Sequence, residues 1–336
     1  MKKFYKNKKV LITGHEGFLG AWLAKKLIDI DCKVVGIDIV RSRKGNILST
    51  NDRNKIKGYL CDLSKGQKLN DIIKRENPEI IFHLGAQAIV GEALADPIKT
   101  LKSNVEGTWN ILESTRQNKA VKALIIASSD KAYGDSKELP YIENVTPLNG
   151  TYPYDASKSC TDIVANMYAK TYGLNVCIMR CGNIYGPGDY HMSRIVPDAI
   201  VCALTGKVFK IRSDGKFVRD YIYVEDVVMA YLKAAKLLHL KKIQGEAFNI
   251  SNEKPLSVKK ITELIFKTCK ADISKIEILN NAKCEIRAQY LNSKKARKML
   301  KWKPSCNISQ GLGKTAEWYR ASLFNRKLSK KEKGKR

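Results

Sequence analysis

An acid and a base stand side by side after a strand-like apolar run, in the octapeptide ASSDKAYG. Asp130 and Lys131 follow Ser128 and Ser129, and the apolar run 121–126 precedes them. Such a pair can act as general acid and general base if it lines a reactive site. Alternatively, it can form a solvated ion pair that contributes less than about 1 kcal/mol to the free energy of unfolding. The surrounding sequence has to decide between these two interpretations.

A tyrosine and a lysine occur four positions apart in GTYPYDASKSC. This spacing places Tyr154 and Lys158 on one face of a helix. A tyrosine that acts as a base near neutral pH needs a pKa about three units below its usual value near 10. Stabilising the phenolate by that amount requires roughly 4 kcal/mol, which an adjacent ammonium group and a positively charged cofactor ring can supply. The pattern therefore indicates a tyrosine base assisted by a lysine.

A glycine-rich turn follows the first predicted strand, in VLITGHEGFLGAWLAKKL. Gly14, Gly17 and Gly20 permit a sharp turn and close approach of a pyrophosphate, whose charge the helix-start amides can hold. Asp38 ends the next predicted strand, where a carboxylate can bind the adenosine ribose. Asp62, after the third strand, is placed to meet the adenine. Together these residues predict a dinucleotide site.

The charges near the ribose position favour NAD over NADP. Asp38 would repel the additional phosphate of NADP. Arg41 and Arg43 follow closely and could instead bind that phosphate. We predict NAD, because the carboxylate occupies the strand end itself.

The elements that position these residues alternate between strands and helices. Predicted strands are Lys9–Thr13, Lys33–Asp38, Lys57–Cys61, Ile80–His83, Ala123–Ser128, Asn175–Arg180 and Glu246–Ser251. Predicted helices include Phe18–Ile30, Gln67–Arg75, Ser103–Asn118, Asp155–Tyr172, Arg194–Thr205 and Val224–Leu238. Alternation of this kind predicts a parallel sheet covered by helices on both faces.

The fold prediction is therefore α/β: a Rossmann-type doubly wound parallel sheet with a smaller, mainly helical substrate-binding lobe. The NAD-binding domain is expected to cover residues 1–181 and 219–251. The lobe is expected to cover residues 182–218 and 252–322, followed by a basic, disordered tail at residues 323–336.

Composition narrows the possible partners and compartments. The sequence contains no run of eighteen apolar residues, which a membrane span would need. The lysine-rich start does not resemble a secretory signal. The nine cysteines occur without a CxxC pair, which predicts a reducing cytoplasm and no metal site. The formal net charge of +28 could attract an anionic substrate, but no nucleic-acid-binding module is recognisable.

The serine at the strand end, Tyr154 and Lys158 resemble the catalytic set of the short-chain dehydrogenase/reductase superfamily. HLGAQA, KSNVEGTWN, RCGNIYGPGD and GKFVRDYIYVEDVV resemble further motifs of its extended branch, the NAD-dependent epimerases and dehydratases of nucleotide sugars. This resemblance covers nearly the whole chain and implies a homodimer built by helices 103–118 and 155–172. It implies NAD contacts from Gly14, Gly17, Phe18, Leu19, Gly20, Asp38, Asp62, Leu63, Leu84, Ala86, Asn104, Tyr154 and Lys158. It implies substrate contacts from Asn183, Arg194 and Arg219.

The resemblance also bears on the acid–base pair. In the 4-epimerases of this branch the positions after the catalytic hydroxyl tend to be small and non-acidic, whereas 4,6-dehydratases need a base at carbon-5 and an acid at carbon-6 of the sugar. Ser129, Asp130 and Lys131 occupy the dehydratase positions. GHEGFLGAWL, ADPIKT and RIVPD resemble the CDP-glucose 4,6-dehydratases. The expected activity is 4,6-dehydration, with a 4-epimerase as the alternative and a non-enzymatic binding protein disfavoured by the intact Ser128, Tyr154 and Lys158.

Overall fold

This computed structural model describes residues 1–43, 45–282 and 285–333, with side chains to Phe324. The described residues contain a main sheet of seven parallel strands. Its strands are β1 (Lys9–Thr13), β2 (Lys33–Asp38), β3 (Ile56–Leu60), β4 (Ile80–His83), β5 (Ala123–Ser129), β6 (Val176–Cys181) and β11 (Ala247–Ile250). Their spatial order is β11-β6-β5-β4-β1-β2-β3. Because both faces are covered, the central strands read as almost continuous apolar runs.

Helices pack on both faces of this sheet. They are α1 (Lys2–Tyr5), α2 (Phe18–Ile28), α3 (Thr50–Asn54), α4 (Gly66–Glu76), α5 (Val90–Ala95), α6 (Pro97–Leu101), α7 (Gly107–Gln117), α8 (Pro153–Tyr172) and α10 (Val224–His239). Alternate residues of a strand point to opposite faces. Val10 and Ile12 accordingly join the core with α2 and α10, whereas Leu11 joins the core with α4, α7 and α8.

A second lobe stands beyond the carboxyl ends of the strands. Its helices are α9 (Ile195–Thr205), α11 (Val258–Cys269) and α13 (Ile308–Lys333). Short strands accompany them: β7 (Asn183–Tyr185) with β10 (Tyr221–Tyr223), β8 (Phe209–Ile211) with β13 (Ile276–Ile278), and β9 (Val218–Arg219) with β12 (Leu256–Ser257) and β14 (Ala288–Gln289). The lobe is therefore less purely helical than the sequence indicated.

Two other regions differ from expectation. A short helix, α12 (Lys294–Leu300), and the following Trp302 pack into the core beside α10 rather than into the lobe. The last helix continues to Lys333, so the backbone of the basic tail is helical over most of its length, and residues 334–336 lie outside the described residues. Lysine and leucine are good helix formers, which gives a physical reason for this difference.

The predicted helix 103–118 is part of a longer one with a π-helical turn. That turn, Lys102–Glu106, joins α6 to α7 and contains Asn104. A π-turn of this kind often marks a functional position, because it re-aims a side chain. Among the described residues, no helix is long and apolar enough to span a bilayer.

Candidate functional site

A cavity of about 1260 Å³ opens where the strand order reverses between β1 and β4 and extends into the second lobe. Such a reversal leaves a crevice at the carboxyl ends of parallel strands. Predicted site residues that line the cavity are Gly14, Gly17, Phe18, Leu19, Gly20, Asp38, Asp62, Leu63, Leu84, Ala86, Ser128, Ser129, Asp130, Lys131, Tyr154, Lys158, Asn183, Arg194 and Arg219. Residues far apart in sequence therefore meet around one space.

The glycine loop is packed too tightly for side chains. Gly14 has φ +72°, and a Cβ there would lie 2.8 Å from Gly85 Cα. A Cβ on Gly20 would lie 2.0 Å from the Gly14 carbonyl oxygen. Backbone and the start of α2 therefore border the cavity directly, which is the environment that a pyrophosphate requires. These residues fit the phosphates of a dinucleotide.

Asp38 is buried at the end of β2 and held by backbone donors. Its carboxylate accepts hydrogen bonds from the amides of Glu16 at 3.1 Å and Ile39 at 2.8 Å. The Arg43 guanidinium lies 3.7 Å from the same carboxylate, on the cavity wall. Arg43 is thus partly neutralised by Asp38, which weakens it as a partner for an additional phosphate. Asp62 is exposed at the rim.

Tyr154 and Lys158 lie on the first turns of α8 and face the cavity from one side of the helix. Lys158 Nζ donates a hydrogen bond to the Ala127 carbonyl at 2.8 Å, at the end of β5. Burial lowers the pKa of Lys158 to about 8. Burial raises the pKa of Tyr154 to about 12, and Arg194 and a hydrogen bond with Ser129 oppose that rise. Burial therefore leaves the tyrosine protonated at neutral pH in the protein alone.

The structure separates the two serines at the end of β5. Ser128 donates its hydroxyl hydrogen bond to Asp162, which forms a buried ion pair with Arg180 at 2.6 Å. Ser129 instead donates to Asp130 Oδ1 at 2.8 Å, and it is the serine that lowers the pKa of Tyr154. The geometry thus favours Ser129 as the hydroxyl that works with Tyr154. Ser128 was also a sequence candidate, but its hydroxyl is engaged with Asp162.

Asp130 and Lys131 are not a solvated ion pair. Asp130 is 2% exposed and begins a 3₁₀ turn, and Lys131 is half-buried beside it on the cavity wall. The ion pairs found within 4 Å in the described residues do not include these two groups. Burial raises the pKa of Asp130 and lowers the pKa of Lys131. Both shifts favour the uncharged forms, namely an acid that holds its proton and an amine that can accept one.

The three predicted substrate residues border the part of the cavity shared with the second lobe. Arg194 Nη1 lies 3.0 Å from Asp189 Oδ2, and Arg219 Nη2 lies 3.8 Å from Glu285 Oε2. Arg219 also lowers the pKa of Asp130. It therefore influences the 3₁₀ turn Asp130–Tyr133, here called the acid–base turn, as well as the lobe. Asn183 lines the cavity at the start of β7.

Asn104 differs from its predicted role as a cofactor contact, because it does not line the cavity within the described residues. Its side chain is buried and accepts from the Gln87 amide at 2.7 Å. Its amide group donates to the Gln87 carbonyl at 3.0 Å and to Ser157 Oγ at 2.9 Å. Asn104 therefore fixes the loop after β4 onto α8, and it acts on the cavity through that loop.

Sequence reasoning missed several cavity-lining residues. Glu16, within the glycine loop, forms an ion pair with Arg53 at 2.8 Å. Asp155, next to Tyr154, is almost completely buried. Their positions inside recognised motifs were the available signals. Glu285 had none, since an isolated acidic residue in a loop does not indicate a site.

Comparison with known proteins agrees with this geometry. Residues 10–251 match the model of the NAD dependent epimerase/dehydratase family. The chain therefore belongs to the NAD-dependent epimerase/dehydratase family, its fold is the Rossmann-type fold expected from the sequence, and its cofactor is NAD.

Individual relatives carry different activities in their names. The chain is 28% identical to the CDP-glucose 4,6-dehydratase of Salmonella typhimurium, over 95% of this chain and 92% of that protein. A trifunctional UDP-glucose 4,6-dehydratase of Arabidopsis thaliana is 30% identical over 94% of this chain, which spans about half (47%) of that protein's length. The solved UDP-glucose 4-epimerase of Thermotoga maritima is 29% identical, with a TM-score of 0.85, covering 94% of this chain and 99% of that one. Family membership is shown, and both activities occur among these relatives.

Proposed function

We propose that the protein is a nucleotide-sugar 4,6-dehydratase, which converts a nucleoside diphosphate hexose of the CDP-glucose type into the 4-keto-6-deoxy sugar and water. One observation carries this proposal: a buried Asp130 and a half-buried Lys131 lie on the wall of the same cavity as Ser129 and Tyr154. A 4-epimerase acts at carbon-4 alone and has no use for a second acid–base pair. A dehydratase requires one.

Oxidation at carbon-4 is assigned to Tyr154, Lys158 and Ser129. Tyr154 takes the proton of the carbon-4 hydroxyl, with Ser129 as hydrogen-bonding partner. Bound NAD would supply a positive charge that stabilises the phenolate, and a hydride acceptor for carbon-4 from which carbon-6 would later be reduced. Lys158, held by the Ala127 carbonyl, adds a second positive charge near the tyrosine. These charges offset the burial that raises the pKa of Tyr154.

Elimination is assigned to the turn after β5. Lys131, as the neutral amine, takes the proton of carbon-5, which the new carbon-4 ketone has made acidic. Asp130 gives its proton to the carbon-6 hydroxyl as the carbon–oxygen bond breaks, and water leaves. Lys131 then returns its proton to carbon-5. The leaving water contains the carbon-6 hydroxyl and the proton of Asp130, while Tyr154 keeps the proton of the carbon-4 hydroxyl. Release of that proton from Tyr154 to solvent and uptake of one proton by Asp130 restore both groups, so the net products are the 4-keto-6-deoxy sugar and one water.

Binding of the diphosphate is assigned to arginines at the lobe side of the cavity. Arg219 is nine-tenths buried and its guanidinium approaches Glu285, so a phosphate can compete for its remaining donors. Arg194 and Asn183 lie along the same wall. Their placement, together with the CDP-glucose dehydratase resemblance of RIVPD, supports a pyrophosphate-linked sugar as substrate.

The experiment that tests this function is incubation with CDP-, UDP-, GDP- and dTDP-glucose, followed by mass analysis. A dehydratase yields a product lighter by one water, and an epimerase yields a product of unchanged mass. Lys131→Met should still form reduced cofactor in a single turnover but release no dehydrated product. Lys137→Met, in an exposed position of the following loop, is the matched control and should turn over normally. Unimpaired dehydration by Lys131→Met would contradict the assignment.

A homodimer is part of the proposal. Apolar side chains that are at least two-fifths exposed lie on the outer faces of α5, α6, α7 and α8: Leu94, Ile98, Trp109, Ile163 and Met167. Helices that expose such side chains usually bury them against a partner. Packing of α7 and α8 against the same helices of a second copy would cover this face.

A further inference from the structure

Glu16 is a buried carboxylate within the glycine loop, and the chemistry assigned to the cavity does not use it. It follows Gly14 by two positions, is 1% exposed and borders the cavity together with Asp38, Arg43 and Asn46. A glutamate that is withdrawn from water is destabilising unless charged or polar donors replace its lost hydration. The donors around Glu16 therefore indicate what it contributes to the cofactor end of the cavity.

Four donors surround the Glu16 carboxylate. The Arg53 guanidinium forms two parallel hydrogen bonds, from Nε to Oε1 at 2.8 Å and from Nη2 to Oε2 at 2.9 Å. The Arg43 backbone amide donates to Oε2 at 3.0 Å, and Asn46 Nδ2 donates to the same oxygen at 2.7 Å. Burial on its own would raise the pKa of Glu16, but these donors outweigh burial and hold that pKa below its usual value. Glu16 is thus an anion at neutral pH, and Arg53 is its counter-ion.

Glu16 also supports Asp38, the carboxylate expected to bind the adenosine ribose. The Glu16 backbone amide donates to Asp38 Oδ2 at 3.1 Å, while the Arg43 guanidinium lies 3.7 Å from Asp38 Oδ1. Two carboxylates and two guanidinium groups therefore meet at the end of β2, where Asp38 faces Arg43 and Glu16 binds Arg53. Their four charges cancel, so this end of the cavity carries no excess of positive charge from the two arginines.

This arrangement bears on the choice between NAD and NADP, which differ by one phosphate on the adenosine ribose. A protein accepts that phosphate when a cation with unoccupied hydrogen-bond donors lies beside the ribose. Here Glu16 occupies the Nε and Nη2 donors of Arg53, the backbone amide of Arg43 and the side-chain amide of Asn46. An incoming phosphate would have to compete with a carboxylate that already holds these donors.

We propose that Glu16 is a specificity-determining residue for the cofactor, which excludes the additional phosphate of NADP by neutralising Arg53 and occupying the donors around it. It is a positioning residue in this role, because it acts through Arg53, Arg43 and Asn46. Asp38 and Glu16 thus share the discrimination, each by holding one arginine. The proposal concerns the dinucleotide alone, so it does not depend on whether the sugar is dehydrated or epimerised.

A merely structural role for Glu16 would have a different signature. The pair of Glu16 and Arg53 also joins the glycine loop to α3, and Arg53 Nη1 donates to the Leu48 carbonyl at 2.6 Å. Loss of a structural link would weaken the binding of both cofactors alike, whichever partner is replaced. Loss of a charge acts chiefly on the additional phosphate, and the sign of its effect depends on which partner is replaced.

The test uses the full chain freed of bound nucleotide and measures the dissociation constants of NADH and NADPH by their fluorescence. Glu16→Gln keeps the shape of the side chain but leaves the Arg53 charge uncompensated, so the affinity for NADPH relative to NADH should rise roughly tenfold. Arg53→Gln leaves the Glu16 charge uncompensated, so the same affinity ratio should fall. The double variant, Glu16→Gln with Arg53→Gln, restores the net charge, and its ratio should lie within about threefold of the parent.

Asp226→Asn is the matched control variant. Asp226 is a buried carboxylate with three donors, namely the Ser305 amide at 2.8 Å, the Ser305 hydroxyl at 2.6 Å and the Cys306 amide at 3.0 Å. It lies on α10 and, among the described residues, is not part of the cavity wall. Its replacement should lower the melting temperature and leave the affinity ratio unchanged.

Shifts of the ratio in opposite directions in the two single variants would support the proposal. An unchanged ratio in folded Glu16→Gln, or a shift in the same direction in both single variants, would overturn it. If Glu16→Gln does not fold, Arg53→Gln decides alone, and a ratio there that is unchanged or raised contradicts the proposal.

Discussion

The two serines at the end of β5 provide the sharpest test of the site, because they are adjacent in sequence but make different contacts. Ser129 donates to Asp130 Oδ1 at 2.8 Å and lowers the pKa of Tyr154. Ser129→Ala leaves the buried Asp130 oxygen without its donor and Tyr154 without its partner. Loss of such a bond at a buried group costs about 1–3 kcal/mol. A loss of that size in the transition state slows cofactor reduction by roughly 5- to 150-fold.

Ser128→Ala should leave turnover nearly unchanged. Its hydroxyl serves Asp162, which keeps its ion pair with Arg180 at 2.6 Å. We expect turnover within about threefold of the parent, since the lost bond lies outside the reacting groups. The free energy of unfolding should fall by about 1.5–3 kcal/mol, which lowers the melting temperature by roughly 2–4 °C.

The assay is single-turnover absorbance of the reduced cofactor after mixing with the active sugar nucleotide, with thermal melting of the same samples. Ser129→Ala should show slow reduction and also a lowered melting temperature, because the buried Asp130 loses a hydrogen-bond donor. Ser128→Ala should show nearly normal reduction at a lowered melting temperature. If Ser128→Ala lost cofactor reduction as severely as Ser129→Ala while remaining folded, the reasoning from these contacts would be refuted.

Three further predictions concern the cofactor, the assembly and the pH dependence of stability. Asp38→Ala should weaken NAD binding much more than NADP binding by calorimetry, and equal losses would count against the ribose assignment. Trp109→Lys or Ile163→Lys should give monomers by light scattering, whereas Leu240→Lys, equally exposed elsewhere, should not change the assembly. Burial raises the pKa of Asp220 from 3.8 to about 7, so its contribution to stability is present below pH 3.8 and lost as pH rises through 7. Asp220→Asn should therefore raise the melting temperature relative to the parent more at pH 8 than at pH 5, and a pH-independent difference would contradict this.

Sequence patterns predicted the sheet well because its signals are local. Continuous apolar runs marked β1 and β2 with the bounds that the structure has. Glycine spacing then located the turn into α2. The π-turn around Asn104 could not be predicted in this way, because Asn104 is held by a hydrogen bond from the backbone of Gln87, which is distant in sequence.

Site residues on recognised motifs were identified, but their roles depended on tertiary contacts. Ser128 and Ser129 have the same chemistry, and only strand alternation and the position of Asp162 distinguish them. Asp155 and Glu285 entered the site through the folding of α8 and a distant loop. Asp155 lies inside the motif of Tyr154 and Lys158, whereas Glu285 carries no signal in the sequence, and the importance of both arises from the groups that they face.

In the proposed mechanism, burial is the largest influence that turns Asp130 and Lys131 into a complementary acid and base. In water, Asp130 and Lys131 would be oppositely charged and unreactive toward carbon-bound protons. Removing water raises the pKa of the carboxyl and lowers the pKa of the ammonium, so the same environment favours a proton donor and a proton acceptor. Desolvating such groups costs several kcal/mol for each ion. A chain that acts only at carbon-4 would gain nothing from that cost, which is the physical argument for preferring dehydration over epimerisation.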